Sequence, residues 1–231
     1  MISKTAVISD KAKLGKNIHI GEYSIIKDNV VIDDDTIIKD FCIIGEEVYK
    51  NNLSNPLIIG KNAFIRSHSV IYQSSVIGMN FTCGHNVHIR ENTTIGNNCQ
   101  IGSNSEIQGD VFIGNFTRTQ SNVFISKFSH VDNYVWLLPY VSLLNDRTPP
   151  SDNLVGPKIM EYAVISANCT IMPDVTIGNN SLIGANSLVD RNVEPGFLYY
   201  GSPAKKIKKI QEVLYNESPA YPWKDRFKRG Y

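Results

Sequence analysis

Apolar side chains recur at every sixth position along almost the whole chain. From Ile59 the series runs through Ile65, Ile71, Ile77, Cys83, Ile89, Ile95, Ile101, Ile107, Ile113, Thr119, Ile125, Val131, Leu137 and Leu143, with Thr119 the one real exception. Ile8, Leu14, Ile20, Ile26, Ile32, Ile38 and Ile44 keep the period before it, and Ile159, Ile165, Ile171, Ile177, Ile183 and Val189 keep it afterwards. A period of six fits neither a helix of about 3.6 residues per turn nor a two-residue strand alternation. The repeating unit is therefore a short strand plus a corner, and the pattern predicts an all-β solenoid.

Within each hexad, with the repeating aliphatic as position i, the residue at i−2 is small or β-branched, as at Ala63, Ser69, Ser75, Val87, Thr93 and Cys99. Large side chains at i and small ones at i−2 let the walls of a narrow prism interdigitate. Glycine is common at i+1 (Gly60, Gly78, Gly84, Gly96, Gly102, Gly114), often followed by asparagine, which suits corners that need positive φ. The register slips between Ile44 and Ile59 and again between Leu143 and Ile159, which predicts loops at 45–58 and 145–158. Loops leaving a rigid repeat are favoured places for site residues. Past Val189 the hexads stop, and Glu194-Pro195-Gly196 leads into Gly201-Ser202-Pro203-Ala204-Lys205. A short helix over Ala204–Tyr215, with Ile207, Ile210 and Leu214 on one face, is expected to cap the open end. The organisation expected is a β-helix domain over 1–203 and a C-terminal helix and tail over 204–231.

The tandem aliphatic-Gly hexads resemble the left-handed parallel β-helix of hexapeptide-repeat acyltransferases. That resemblance, over roughly residues 5 to 205, implies the left hand, three hexads per coil and hence about nine coils, and a homotrimer with active sites in the grooves between subunits. Gly84-His85-Asn86-Val87-His88-Ile89 and Leu143-Leu144-Asn145-Asp146-Arg147-Thr148-Pro149 narrow it further. These segments are similar to those of N-acyltransferases that modify nucleotide-linked amino sugars. The resemblance implies that Asn145 contacts the reacting amine and that Asp146, Arg147 and their loop bind the sugar. It also implies an acidic residue one coil below the asparagine, where this chain has Lys127.

Three hexads per coil stack residues 18 apart at about 4.8 Å. Glu91, Gly109, Lys127 and Asn145 then share one corner of the prism, and His130 points outward on the next face. The catalytic candidates are Asn145, to orient the amine, and His130, the one nearby side chain with an ordinary pKa near neutrality. His85, His88, Arg90, Glu91 and Lys127 join Asp146 and Arg147 as candidates for gripping the substrate. Gly201, Ser202, Pro203, Lys205 and Lys206 resemble the C-terminal signature of coenzyme-A-dependent members, with Lys208 and Lys209 adding charge. Acetyl-CoA or another short acyl-CoA is the co-substrate so implied. The acceptor so implied is a dTDP- or UDP-linked aminodeoxy sugar of surface-polysaccharide biosynthesis. A sugar O-acetyltransferase with a histidine base and a non-catalytic β-helix scaffold are the alternatives.

Composition narrows the field. With 23 basic against 22 acidic residues, the net charge of +1 offers no electrostatic case for nucleic acid. No stretch is long and apolar enough for a membrane span, and no secretory leader is expected. All four cysteines, Cys42, Cys83, Cys99 and Cys169, fall at inward register positions, which argues against disulfides and suits a reducing cytoplasm. No metal is expected: His85, His88 and His130 lie 3 and 42 residues apart, and no histidine follows His130 by about five residues as the zinc-site pattern of a related β-helix family requires. His19 and His68 read as surface residues.

Overall fold

A computed structural model describes residues 1–49, 55–215 and 217–219. Successive short strands pass in turn to three parallel sheets, which form the faces of a triangular prism. The first face has ten strands, from Val7–Ile8 to Leu188–Val189. The second has nine, from Lys13–Leu14 to Thr176–Ile177. The third runs from His19–Ile20 to Leu182–Ile183 and continues into Phe197–Gly201 and Ala204–Lys209. A tenth coil is thus built on the nine, its second face reduced to the single bridge Ile177↔Val193.

Residues 18 apart are register partners, as Ile71↔Ile89, Ile89↔Ile107, Ile107↔Ile125 and Ile125↔Leu143 show. Across the two loops the partners become Ile44↔Ile71 and Leu143↔Ile171, so each insertion is extruded without breaking the stack. The column residues are almost fully buried, and full burial of an isoleucine is worth about 1.5–3 kcal/mol. Every cysteine is buried and free. Removal from water pushes the thiols of Cys83 and Cys99 up to about 11.

The corners correct one expectation. Positive φ falls at i+3, on Asn62, Asn80, Asn98, Asn104 and their equivalents, and among the i+1 glycines only on Gly45, where the first loop departs. Asparagine tolerates the left-handed region, and stacked asparagines repay it by bonding up the corner: Asn62 Nδ2 donates to Asn80 and Asn80 Nδ2 to Asn98, both at 2.9 Å. Elsewhere the same position carries stacked rings, Phe116–Tyr134–Tyr162 at 4.9 and 4.8 Å. The i+1 glycines answer a different need. A Cβ on Gly60 would lie 2.8 Å from the Gly78 carbonyl carbon and the Met79 nitrogen, so close coil stacking excludes it.

The C-terminal end gives a second correction. Ala204–Lys209 is a strand, antiparallel to Phe197–Gly201, followed by a 3₁₀ turn at Ile210–Glu212; no helix forms over 204–215. Ile207 and Leu214 are exposed while Ile210 is buried, so the three do not form one apolar face. The reason lies outside the segment: Trp136, Val164, Leu182 and Leu198 make an outward apolar stack on the third face, and Ile210 and Val213 cover it. Tertiary burial overrides the helical spacing. Of the expected tail, 216 and 220–231 lie outside the described residues, as does 50–54 of the first loop. Among the described residues, no helix is long and apolar enough to cross a membrane.

Candidate functional site

The second loop leaves the prism at the edge between first and second faces. Strand Ser142–Leu143 ends just before Asn145, whose Nδ2 donates to the Lys127 carbonyl one coil below at 3.2 Å. The neck is closed where the Val155 N–H donates to the Asn145 carbonyl at 2.9 Å. Gly156 then lies on the Phe128–Ser129 backbone so closely that no Cβ could fit. The chain re-enters above His130, whose N–H donates to the Pro157 carbonyl at 3.0 Å. The loop therefore departs over Lys127 and returns over His130.

Each of these side chains has a definite setting. Asn145 uses its amide nitrogen on the Lys127 carbonyl, which fixes the rotamer and leaves Oδ1 as the end able to accept from an incoming N–H. The Lys127 ammonium lies 2.9 Å from the Asp110 carboxylate. His130 stacks on Phe112 at 4.7 Å between ring centres, with its Nε2 3.8 Å from Asp132 Oδ1. Asp146 turns into its own loop, accepting from the Thr148 N–H at 3.1 Å and from the Ser151 N–H and hydroxyl at 2.9 and 2.8 Å. Partial desolvation works against ionisation of that carboxyl, but these hydrogen bonds outweigh it and hold its pKa below the ordinary value. Arg147 donates to the Pro173 carbonyl at 2.8 Å, bracing the loop against the coil above. Asp146 and Arg147 thus shape the loop.

The remaining sequence candidates are dispersed. Arg90 and Glu91 occupy the same edge three coils below Asn145, but they bind each other, with Nε and Nη2 of Arg90 2.8 and 3.1 Å from the carboxylate of a nearly buried Glu91. Gly109 makes room for that carboxylate: a Cβ there would stand 3.0 Å from Glu91 Oε1. His88 is exposed on the first face. His85 lies at the other end of that face, on the edge shared with the third, its Nδ1 2.8 Å from Ser67 Oγ. His85 and His88 therefore do not converge on Asn145. Gly201, Ser202 and Pro203 form the tight turn between the last two strands of the third face, with Gly201 at φ 110 and Gly201 N–H bonded to Ser187 Oγ at 3.1 Å. Lys205 is exposed, while Lys206 is held 2.6 Å from Glu194 and 3.7 Å from the centre of the Phe197 ring.

Sequence reasoning missed Asp110, Phe112 and Asp132. Asp110 and Phe112 lie 17 and 18 residues before Lys127 and His130, so the coil spacing applied to polar and aromatic neighbours would have found them. Among the described residues no group of three or more metal-ligating side chains converges.

With the fold and geometry in hand, comparison with known proteins places the repeats. A family described as bacterial transferase hexapeptide (six repeats) matches residues 74–109 and 156–191. A probable macrolide acetyltransferase of Lysinibacillus sphaericus is 53% identical over 45 residues, 20% of this chain and 25% of its own. A chloramphenicol acetyltransferase of Agrobacterium fabrum is 35% identical over 65 residues, 28% of this chain and 29% of its own. The chain thus spans about a quarter of the length of these curated relatives. Arabidopsis UDP-N-acetylglucosamine acyltransferase superposes with a TM-score of 0.67 over 90% of this chain and 74% of its own, at 16% identity, a likeness of fold. The repeats at 74–109 and 156–191 are thus those of the bacterial transferase hexapeptide family, and the fold is like that of an acyltransferase built as a β-solenoid.

Proposed function

We propose that the chain is an acyl-CoA-dependent N-acyltransferase that acts on the amine of a nucleotide-linked aminodeoxy sugar. The observation that carries this reading is the setting of Asn145 at the loop neck, with Nδ2 tied to the Lys127 carbonyl and Oδ1 left to accept from an amine N–H. In the proposed step the neutral amine attacks the thioester carbonyl, the C–N bond forms and the C–S bond breaks. The proton lost by the amine leaves with coenzyme A as its thiol. Asn145 orients the amine. Because an amine is already a good nucleophile, the step asks little of an enzymic base such as His130.

The proposal needs more than one copy of the chain. Asn145 stands on the edge between first and second faces, and the Gly201–Lys206 turn extends the third face, which is opposite that edge in a triangular prism. An edge of one copy set against the third face of the next would bring the two together at a single acyl-CoA. This supports the homotrimer. Acetyl-CoA or a short acyl-CoA would then lie along the C-terminal coils, with dTDP- or UDP-sugar below it. Both are soluble cytoplasmic metabolites, so that compartment is proposed, with surface-polysaccharide biosynthesis as the setting.

A second reading, O-acetylation of a sugar hydroxyl, draws on one observation. His130 is stacked on Phe112 and has Asp132 at 3.8 Å, an arrangement that could serve a general base. The two readings part on His130→Ala. N-acylation should survive it with a changed pH profile, whereas O-acylation should fall by about a hundred- to ten-thousandfold. Loss of all activity on an aminosugar nucleotide in a folded His130→Ala protein would overturn the N-acyl reading.

A further inference from the structure

The third face carries an open groove that the acylation step above does not use. It has a volume of ≈ 690 Å³, and its polar and aromatic lining includes Arg66, His85, Gln100, Arg118, Gln120 and Trp136. The stacking explains its shape. Thr82, Gln100, Arg118 and Trp136 are successive register partners on the outer side of the face, one coil apart at about 4.8 Å. One position further along, the column reads Arg66, Gly84, Gly102, Gln120, so two side chains are missing between a guanidinium and an amide. Neither glycine could carry a Cβ, since Gly84 presses on the Ser103 backbone and Gly102 on the Gln120 backbone. Bare backbone therefore floors the groove over a span of three coils, about 14 Å.

Its charge is as uneven as its shape. Two arginines and a histidine line it, and among the described residues no carboxylate does, in a chain whose charges otherwise balance to +1. Arg66 is held in place without being neutralised: its Nη1 donates to the Cys83 carbonyl at 2.9 Å and its guanidinium lies 4.7 Å from the centre of the Phe64 ring. The His85 bond to Ser67 leaves its Nε2 available. Trp136 stands one coil above Arg118, backed by the apolar cluster of Val164, Leu182 and Ile210. Guanidinium groups bind phosphate oxygens through paired N–H donors, and an indole offers a flat surface to a base.

We propose that this groove binds a nucleoside diphosphate, with the phosphates among Arg66, His85 and Arg118 and the base against Trp136. The groove lies on the face opposite the Asn145 edge and covers the coils just below it, so in an edge-to-face assembly it serves the Asn145 of a neighbouring copy. Assigning the ligand to the acceptor sugar nucleotide rests on the N-acyltransferase reading; the binding itself does not. The same chemistry occurs in the adenosine phosphates of coenzyme A, and the experiment separates these sources.

The full chain would be titrated calorimetrically with UDP, dTDP, ADP, coenzyme A and inorganic pyrophosphate, with tryptophan fluorescence recorded in parallel. UDP or dTDP should bind more tightly than pyrophosphate and alter the fluorescence. Arg118→Gln should weaken that binding at least tenfold. Gln100→Glu, which places a carboxylate at an exposed position and leaves the fold intact, should do the same. Trp136→Phe should remove the fluorescence response and the advantage over pyrophosphate, identifying which of the two tryptophans reports. Undiminished UDP and dTDP binding in folded Arg118→Gln and Gln100→Glu proteins would overturn the site. Groove-dependent binding of ADP and coenzyme A alone would overturn its assignment to the acceptor. If these variants acylate an aminosugar nucleotide as wild type does, the assignment of the groove to the acceptor fails and the N-acyltransferase reading stands. If UDP binds through the groove in a protein that cannot N-acylate, the groove stands and that reading fails.

Discussion

At the scale of single residues, position along the hexad decides what each side chain can do. Asn145 sits where the register breaks and is oriented by one bond to the coil below. Replacing it with alanine should lower turnover by about ten- to a thousandfold, the range for losing one positioned polar group, with little change in acyl-CoA affinity. Steady-state kinetics in both substrates check this, and wild-type turnover would remove Asn145 from the reaction. The cysteines illustrate the opposite case. Burial holds Cys83 and Cys99 near 11, so at pH 7–8 neither presents a thiolate. A thiol reagent should leave all four unmodified in the native protein and label all four after unfolding. Their inward register was legible because inward and outward positions alternate strictly along a short strand. The mutual neutralisation of Arg90 and Glu91 was not, since adjacent charges in sequence do not reveal that Gly109 opens a place for the carboxylate.

Among the elements, the corners and the last two strands of the third face carry most of what the sequence concealed. Glycine at i+1 and asparagine at i+3 both mark a corner, but one is there for stacking distance and the other for backbone twist. Gly60→Ala should therefore destabilise the protein by about 1–3 kcal/mol, because the Cβ meets the Gly78–Met79 backbone, which cannot move aside. Gly196 has open space around it but φ 75, so Gly196→Asn should be tolerated far better than Gly196→Val. Chemical denaturation of the three variants tests the distinction. Ile207, Ile210 and Leu214 have helical spacing, yet Ala204–Lys209 is a strand; the competing signal is Trp136, Val164 and Leu182 left outward on the third face. The second loop depends on Asp146 as its latch. Its lowered carboxyl pKa means that the latch contributes fully above the ordinary value of 3.8 and is lost as pH falls through the lower folded value. Amide exchange at Thr148 and Ser151 should accordingly stay protected at neutral pH, open in strong acid, and open at neutral pH in Asp146→Ala.

For the whole molecule, the six-residue period was enough to give the solenoid and its core, because each coil repeats the same packing problem, whereas the 18-residue stack came from the three hexads per coil that the family resemblance implies. The groove on the third face stayed hidden because its parts, Arg66, Gln100, Arg118 and Trp136, are scattered over four coils and none belongs to a loop or histidine motif. The opposition of the Asn145 edge and the Gly201–Lys206 turn makes self-association part of the account. Light scattering should give a threefold mass, and a fully active monomer would contradict the shared site. The most direct measurement offers acetyl-CoA with matched aminosugar and hydroxysugar nucleotides to wild type and Asn145→Ala, and identifies the products by mass spectrometry. The account predicts acylation of the aminosugar at nitrogen, strongly reduced in Asn145→Ala, and no product from the hydroxysugar. Acylation of the hydroxysugar alone, or of neither, would contradict it.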